Sequence, residues 1–534
     1  MTTTSKFNAL SICNGCAQSR RAFLSNCVKC LGSVGVFSGL AAPSLLSAGG
    51  CTPKQNSTVR IVFVLWNFPI QQRPTWPHIG YNFAPVTETV MNLLTSSCPS
   101  ITFVQSMCDI PANAEKIIAE DKDNGNVDGY LVMQLNNWPT VIDSFVGSGK
   151  PVIFADFLYA GSGGFLMYCA RILHSGVENF AHISSGNFAH LAAAAKCIPL
   201  AKGPGGMKSF VDAVRKLRVD IAAGVKVDMQ CLNDKVDVLS TGDLLKELQA
   251  KKFLEFEVGT HKIGKETKES FGIDVIPLSF SELNGLWEKA DKDQAMDYVK
   301  RWKSNATSIT DVSDETLEKS ARMYLAMKTC MKNHDACGIT VNCLDGFYRN
   351  RIQAYPCLGF HELLNEGLIG ACECDTLSTL TMVVMTTMTK GRPGYISDPV
   401  MDLAKKQIIY THCVASNKVF GPQGTTNPFA IMTHSEDRSG ASLRSTLPTG
   451  YMTTTLEMHP QQKEILFHQA KTVENYTEDR ACRTKIACVP VGDFEKLYTQ
   501  WASWGWHRVT YYGDLKKPVF ALADALGWKI VEEA

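Results

Sequence analysis

From residue 56 to about 200, short apolar runs rich in β-branched residues recur with helix-length segments between them. Val59–Leu65, Ile101–Val104, Gly129–Met133 and Pro151–Ala155 are each long enough for a strand and too short for a buried helix. Near-continuous apolarity marks strands covered on both faces. Strands that alternate with helices, here predicted over Ala84–Leu94 and Ile110–Asp121, imply a parallel sheet of the doubly wound type. The run ending at Ala155 leads into Ala160-Gly161-Ser162-Gly163-Gly164, a glycine turn that lacks the full dinucleotide fingerprint. It predicts a tight turn near a cleft, not a nicotinamide site.

Ala201-Lys202-Gly203-Pro204-Gly205-Gly206 marks a boundary or hinge. Beyond it, residues to 335 again mix strands and helices. Ser313–Thr329 has the strongest helix signature, with Ser313 as N-cap and Asp314 and Glu315 in the first turn. The charged tract Glu247–Glu269 is expected to be solvated surface. After Ala336 the character changes. Strand-like runs at Ile339–Val341, Gln407–Tyr410, Ala430–Met432 and Lys485–Val489 surround one strong helix, Thr376–Thr389. The expected organisation is a signal segment over 1–55, two Rossmann-like α/β domains over 56–200 and 201–335, and a C-terminal metal and catalytic domain over 336–534. That last domain is expected to be α+β, with an antiparallel sheet or partial barrel.

Lys and Arg total 53 against 52 Asp and Glu, a net charge of +1, which gives no electrostatic case for nucleic acid as a partner. With 45% apolar and 20% charged residues the chain is of globular type. Its first fifty residues have the marks of an address. Ser19-Arg20-Arg21-Ala22-Phe23-Leu24 resembles a twin-arginine export motif, and Leu46-Ser47-Ala48-Gly49-Gly50-Cys51 resembles a lipoprotein cleavage box with Cys51 as the lipid-bearing residue. The expected location is periplasmic, or membrane-anchored through Cys51. Cys13-x2-Cys16 and Cys27-x2-Cys30 have zinc-ribbon spacing but fall inside this segment. The chain has 19 cysteines, and the scattered, odd-numbered set from Cys51 onward forms no disulfide framework.

Polar ligand types cluster just after strand-like runs in the last third. Glu373 stands before the Thr376 helix, Asp398 ends Gly394–Asp398, His412 ends Ile408–His412, His434 ends Ala430–His434, and His507 lies in Trp504–Val509. Carboxylates and imidazoles on several loops suit a divalent ion with open positions, and oxygen-dominated ligation favours a hard or borderline ion such as Mn²⁺. The competing reading is capping carboxylates and core histidines. Asp375 is expected to be a helix-start carboxylate, His361 and His468 helix-borne core or surface histidines, and Trp501, Trp504 and Trp506 packing aromatics.

Several strings carry a resemblance. They are Asn342-Cys343-Leu344, Tyr355-Pro356-Cys357-Leu358-Gly359, Asn365-Glu366-Gly367, and Cys372-Glu373-Cys374-Asp375 with Thr379-Leu380-Thr381-Met382. Gly391-Arg392-Pro393, Thr411-His412-Cys413, Cys482-Arg483-Thr484, and His507 with Tyr512-Gly513-Asp514 continue it. Together they resemble the C-terminal half of the L-fucose/D-arabinose isomerase-like family. The N-terminal half matches chiefly at Pro74-Thr75-Trp76-Pro77 and Ile79-Gly80-Tyr81.

The resemblance implies a metal-dependent aldose–ketose isomerase of a deoxyhexose or pentose, working through an ene-diol and assembled as a homo-oligomer. It makes Glu373, Asp398 and His507 the metal ligands, with the two carboxylates as the acid/base pair. His412 becomes a substrate contact or a further ligand, and Trp76 and His434 become substrate contacts, with Trp76 reaching a neighbouring subunit's site. Such a reaction needs a base, an acid and a cation against the enolate charge. Two alternatives stay open. One is an exported carbohydrate-binding or accessory protein that keeps the scaffold without turnover. The other is an exported glycosidase using the same carboxylates.

Overall fold

The computed structural model describes residues 57–534 apart from 258, 502 and 503. The twin-arginine motif, the paired cysteines before residue 31 and Cys51 lie outside the described residues. No described helix is long and apolar enough to cross a membrane.

The first sheet is built as its apolar runs require. Strands β1 (Ser57–Val64), β2 (Ile101–Cys108), β3 (Gly129–Gln134), β4 (Val152–Asp156) and β5 (Phe180–Ile183) pair in parallel in the order β2-β1-β3-β4-β5. Every residue of β3 and β4 is buried, as the continuous apolarity demands, whereas edge strand β2 is buried only at its two ends. Each fully buried side chain, such as Val59, Ile61 and Phe63, contributes roughly 1.5–3 kcal/mol of burial. The strand order reverses between β1 and β3. In open parallel sheets that reversal opens a crevice beyond the carboxyl ends of the two strands.

Residues 252–372 supply β6 (Lys252–Phe256), β7 (Asp274–Leu278), β8 (Ile309–Thr310), β9 (Gly338–Val341) and β10 (Ile369–Cys372). Four of them form a second parallel sheet, ordered β10-β9-β6-β7, which takes two strands from each side of residue 336. The tract expected to be solvated therefore holds a central strand, with Phe253, Leu254 and Phe256 fully buried. The Ile339 run, expected among antiparallel strands, is β9 of this parallel sheet.

The remaining strands are β11 (Tyr395–Asp402), β12 (Gln407–His412), β13 (Phe429–Met432), β14 (Ser442–Ser445), β15 (Met452–His459), β16 (Glu464–Asn475), β17 (Thr484–Pro490), β18 (Arg508–Tyr512) and β19 (Lys529–Glu532). Six of these close on themselves as an antiparallel barrel, β15-β18-β11-β12-β17-β16 and back to β15, with β19 added in parallel to β16. Full closure replaces the open sheet or partial barrel expected from sequence, and it leaves these six strands no free edge. The Ala430 run is not part of it. β13 pairs with β14 and β8 in a small separate sheet.

Candidate active site

One pocket gathers the ends of all three main sheets. Trp76 follows β1, Asn137 and Trp138 follow β3, Cys343 follows β9, and Cys372 and Glu373 end and follow β10. The barrel contributes Asp398, His412, Cys413 and Cys482, and the small sheet's loop contributes His434 and Glu436. The cavity between these walls measures about 20 Å³, enough for about one water.

Local chemistry fixes each wall. A Cβ on Gly164 would stand 1.9 Å from the Asn137 carbonyl oxygen, so only glycine lets the helix Ser162–His174 press against the Asn137–Trp138 loop. The Trp76 loop is pinned to the barrel side, where the Ile79 amide donates to the Glu436 carbonyl (2.7 Å) and Ala481 donates to Pro77 (3.2 Å). Trp76 is buried in the wall of its own chain's pocket.

Glu373 and Cys374 both adopt positive φ, +62° and +53°, a costly conformation for residues with side chains. The turn is held by Cys374, whose amide donates to Val341 (3.0 Å) and whose carbonyl accepts from Thr260 (3.1 Å). Asp375 then caps the helix Thr376–Met388, accepting from the Ser378 amide at 3.1 Å.

Barrel register does the rest. Asp398 on β11 pairs with Thr411, the neighbour of His412, while Ser397 pairs with Arg508. Continuing that antiparallel register by one residue sets His507 beside Asp398.

Two carboxylates converge on His507, and His412 stands against one of them, Glu373. His507 Nε2 is 3.5 Å from Asp398 Oδ1 and 3.7 Å from Glu373 Oε2. His412 Nε2 is 3.6 Å from Glu373 Oε1, and the two imidazole centroids are 5.3 Å apart. These separations are too long for hydrogen bonds. They match donors that share one ion, because two ligand atoms each roughly 2.1 Å from a metal stand roughly 3–3.5 Å apart. His412 Nδ1 and Nε2 and His507 Nε2 are buried without any hydrogen-bond partner. A buried polar atom left unpaired costs free energy, and a bound cation removes that cost.

Asp398, His412 and His507 form one group that could hold a metal, and Cys372, Glu373 and His412 form another. The donor set thus fits a divalent ion. Asp375 Oδ2 takes His507 Nδ1 at 2.9 Å, which leaves Nε2 aimed into the site, the usual carboxylate–histidine arrangement behind a metal. Asp375 is therefore more than a helix cap. Its position two residues after Glu373 gave no sequence signal for this second role.

The electrostatics reflect the crowding of three carboxylates. Burial pushes Asp398 up to about 6, the His507 imidazole opposing and the Glu373 charge adding to it. Burial also raises Glu373, but the imidazoles of His412 and His507 outweigh it and hold it below an ordinary glutamate. Burial alone would lower His507, yet Asp398, Asp375 and Glu373 push it up to about 10.

His434 lines the pocket and stands apart from this group, its Nδ1 on Asp437 at 3.1 Å and its ring edge-on to Phe347. The tryptophan cluster divides. Trp501 and Trp504 are buried packing residues, whereas Trp506 lines the pocket with its ring centroid 4.8 Å from that of Trp138. Asn137, Trp138 and Glu436 were not expected from sequence. The loop after the Gly129 run was the available signal, since ligands collect beyond the carboxyl ends of parallel strands.

Comparison with known proteins agrees with this chemistry. The chain is similar to sulfoquinovose isomerases. That of Clostridium sp. (strain MSTE9) is 22% identical over 273 residues, 49% of this chain and 59% of the relative. That of Priestia aryabhattai is 22% identical over 152 residues, 28% of this chain and 34% of the relative. The matched part thus spans less than two thirds of each relative's length. No protein-family profile matches the chain.

Among solved structures, an ABC transporter solute-binding protein from Burkholderia multivorans aligns at 10% identity and a TM-score of 0.17, covering 56% of this chain and 85% of that one. The periplasmic ribose ABC transporter from Conexibacter woesei aligns at 12% and 0.18, covering 65% and 90%. Likenesses that slight carry no argument about this chain.

Proposed function

We propose that the protein is a metal-dependent aldose–ketose isomerase acting on a neutral sugar of the deoxyhexose or pentose type. The observation that carries this reading is the unpaired Nε2 atoms of His412 and His507, which face Glu373 and Asp398 at the cavity where three sheets meet. A divalent ion, most simply Mn²⁺, held by Glu373, Asp398, His412 and His507 would supply a Lewis acid against enolate charge. Aldose–ketose exchange moves a proton between C1 and C2 through an ene-diol. Glu373, held ionised, is suited to remove the carbon proton. Asp398, whose proton affinity lies nearer neutrality, is suited to deliver one to oxygen. Asp375 holds His507 in the tautomer that leaves Nε2 free.

The wall chemistry favours a neutral substrate over a sulfonated one. Trp138 and Trp506 offer faces for sugar C–H groups, while Glu373, Asp398 and Glu436 offer acceptors for hydroxyls. A sulfonate entering this pocket would meet carboxylates where it needs an arginine or lysine.

The signal-like first segment supports export of the folded protein by the twin-arginine route, with Cys51 as a lipid attachment point, and the resemblance to the L-fucose/D-arabinose isomerase-like family supports a homo-oligomer as the working form. Incubating Mn²⁺-loaded protein with a panel of aldoses, sulfoquinovose included, tests the reading. Ketose formation with solvent deuterium entering the sugar carbon is expected from a neutral aldose and is lost in Glu373→Gln. Binding without conversion would instead favour a carbohydrate-binding role, and sugar release from a glycoside would favour a glycosidase.

A further inference from the structure

We propose that Cys343 and Cys372 form a modification site, a thiol pair that a hydroperoxide closes reversibly to a disulfide, weakening ion binding at the site. The Sγ atoms are 3.3 Å apart, and among the described cysteines this is a direct sulfur–sulfur contact inside the pocket wall. The contact follows from topology. β9 and β10 are parallel neighbours with Val341 opposite Cys372, and Cys343 lies two residues past Val341 at the same carboxyl edge. Both residues are buried, and both line the wall of the cavity.

Cys372 is also joined by one peptide bond to Glu373, and its sulfur belongs to the group with Glu373 and His412 whose donor atoms all lie within 4.8 Å of one another. The pair therefore sits directly behind the carboxylate on which the proposed isomerase depends, and the functional consequence rests on that reading.

The chemistry balances with one hydroperoxide. One cysteine sulfur attacks the peroxide and the O–O bond breaks, giving a sulfenic acid and, after proton transfer, an alcohol or water. The second sulfur displaces the sulfenic oxygen as water and forms the S–S bond. The two thiols together lose two electrons and two protons, and the peroxide gains them. A dithiol restores the pair by exchange.

A disulfide brings the sulfurs to roughly 2.05 Å, so the Cys343 and Cys372 side chains must close by more than an ångström. Whatever part of that move the Cys372 backbone takes passes through one peptide bond to Glu373, whose left-handed conformation is already costly. The carboxylate is thereby displaced from His412 and His507.

The test uses the full chain, metal-free, treated with stoichiometric hydrogen peroxide and digested without reductant. The expected result is a cross-linked peptide pair carrying residues 343 and 372, at least a tenfold loss of Mn²⁺ affinity read from the free-ion electron paramagnetic resonance signal, and recovery of both with dithiothreitol. Cys343→Ser should show no such peptide and the same Mn²⁺ affinity before and after peroxide, with Cys343→Ala as a second variant should the serine protein fold poorly.

Peroxide consumption at other thiols without a 343–372 peptide would overturn the proposal. So would a cross-link that leaves Mn²⁺ affinity unchanged. Because ion affinity is read apart from turnover, a protein that isomerises no aldose but still loses Mn²⁺ on cross-linking would sink the isomerase reading and leave the thiol pair standing.

Discussion

His468 and His507 are both buried histidines of the barrel region and both face a buried carboxylate, yet they do opposite things. His468 is satisfied on both sides. Nδ1 bonds Glu533 Oε2 at 2.8 Å and Nε2 bonds the Tyr410 hydroxyl, while Arg508 grips the other Glu533 oxygen at 2.9 and 3.1 Å. His507 is satisfied only at Nδ1, by Asp375, and its Nε2 is left unpaired among two more carboxylates. Arg508 follows His507 directly, and successive residues of a strand point to opposite faces. One face of β18 therefore locks the barrel to the chain's last strand, while the other presents a free imidazole nitrogen to the pocket. A closed hydrogen-bond account marks structure. An open one beside several other donors marks a ligand site.

Asp156 shows why the neighbours matter. Its Oδ1 is also buried and unpaired, while Oδ2 accepts from Ser162 at 2.7 Å and Ser184 at 3.1 Å. Among the described residues no group of metal-ligating side chains surrounds it, and burial pushes its carboxyl up to about 7. A proton, not an ion, resolves that open valence.

Four substitutions break or sharpen this contrast. The largest effect is expected at Glu373, where Glu373→Gln keeps the shape and removes the charge. Turnover should fall about 10²–10⁴-fold in a ketose assay while the melting temperature stays near wild type. Next comes the closed network. Glu533→Gln leaves Arg508 as an uncompensated buried charge and should cost about 3–5 kcal/mol in urea unfolding, while the folded fraction still binds Mn²⁺. If that variant instead lost ion binding without loss of stability, the division between the two faces would be wrong.

Asp156 is third. The folded protein holds its proton to about pH 7, whereas an ordinary aspartate releases it near 3.8. The unfolded chain therefore binds fewer protons between those values, and stability falls as pH rises through that window, by up to about 1.4 kcal/mol per unit, and levels off above it. Asp156→Asn should flatten this fall when unfolding midpoints are compared at acidic and slightly alkaline pH. A wild-type curve already flat there would show the carboxyl to be ionised in the folded state. The smallest effect is expected at Asp375, where Asp375→Asn should weaken Mn²⁺ binding about 10–100-fold through His507 orientation. An unchanged dissociation constant, measured by titration calorimetry, would reduce Asp375 to a helix cap.

Much of the fold was legible because it rests on local periodicity. The runs at Val59, Ile101, Gly129 and Val152 became the first parallel sheet, and Ser313 caps the helix Asp314–Asn333 by accepting from the Thr316 amide. Two features escaped for physical reasons. β6 is five residues long between charged neighbours, so its three buried apolar side chains gave too short a signal. Barrel closure depends on β15 pairing with both β16 and β18, a non-local choice that no run of residues encodes.

In the site, Glu373, Asp398, His412 and His507 were legible as polar residues at strand ends, and the structure brings them together. His468 was misread as helix-borne because its strand, β16, carries polar residues among the apolar ones. Asp375, Trp138 and Trp506 acquire their roles only when three separate sheets meet.

The claim underlying the whole account is that four side chains far apart in sequence hold one divalent ion. Anomalous diffraction from crystals soaked in Mn²⁺ tests it most directly. The expected result is a single strong peak within about 2.3 Å of Glu373, Asp398, His412 and His507 donor atoms. A pocket without a peak, or a peak only at the separate Glu282, Cys330 and His334 group, would contradict it.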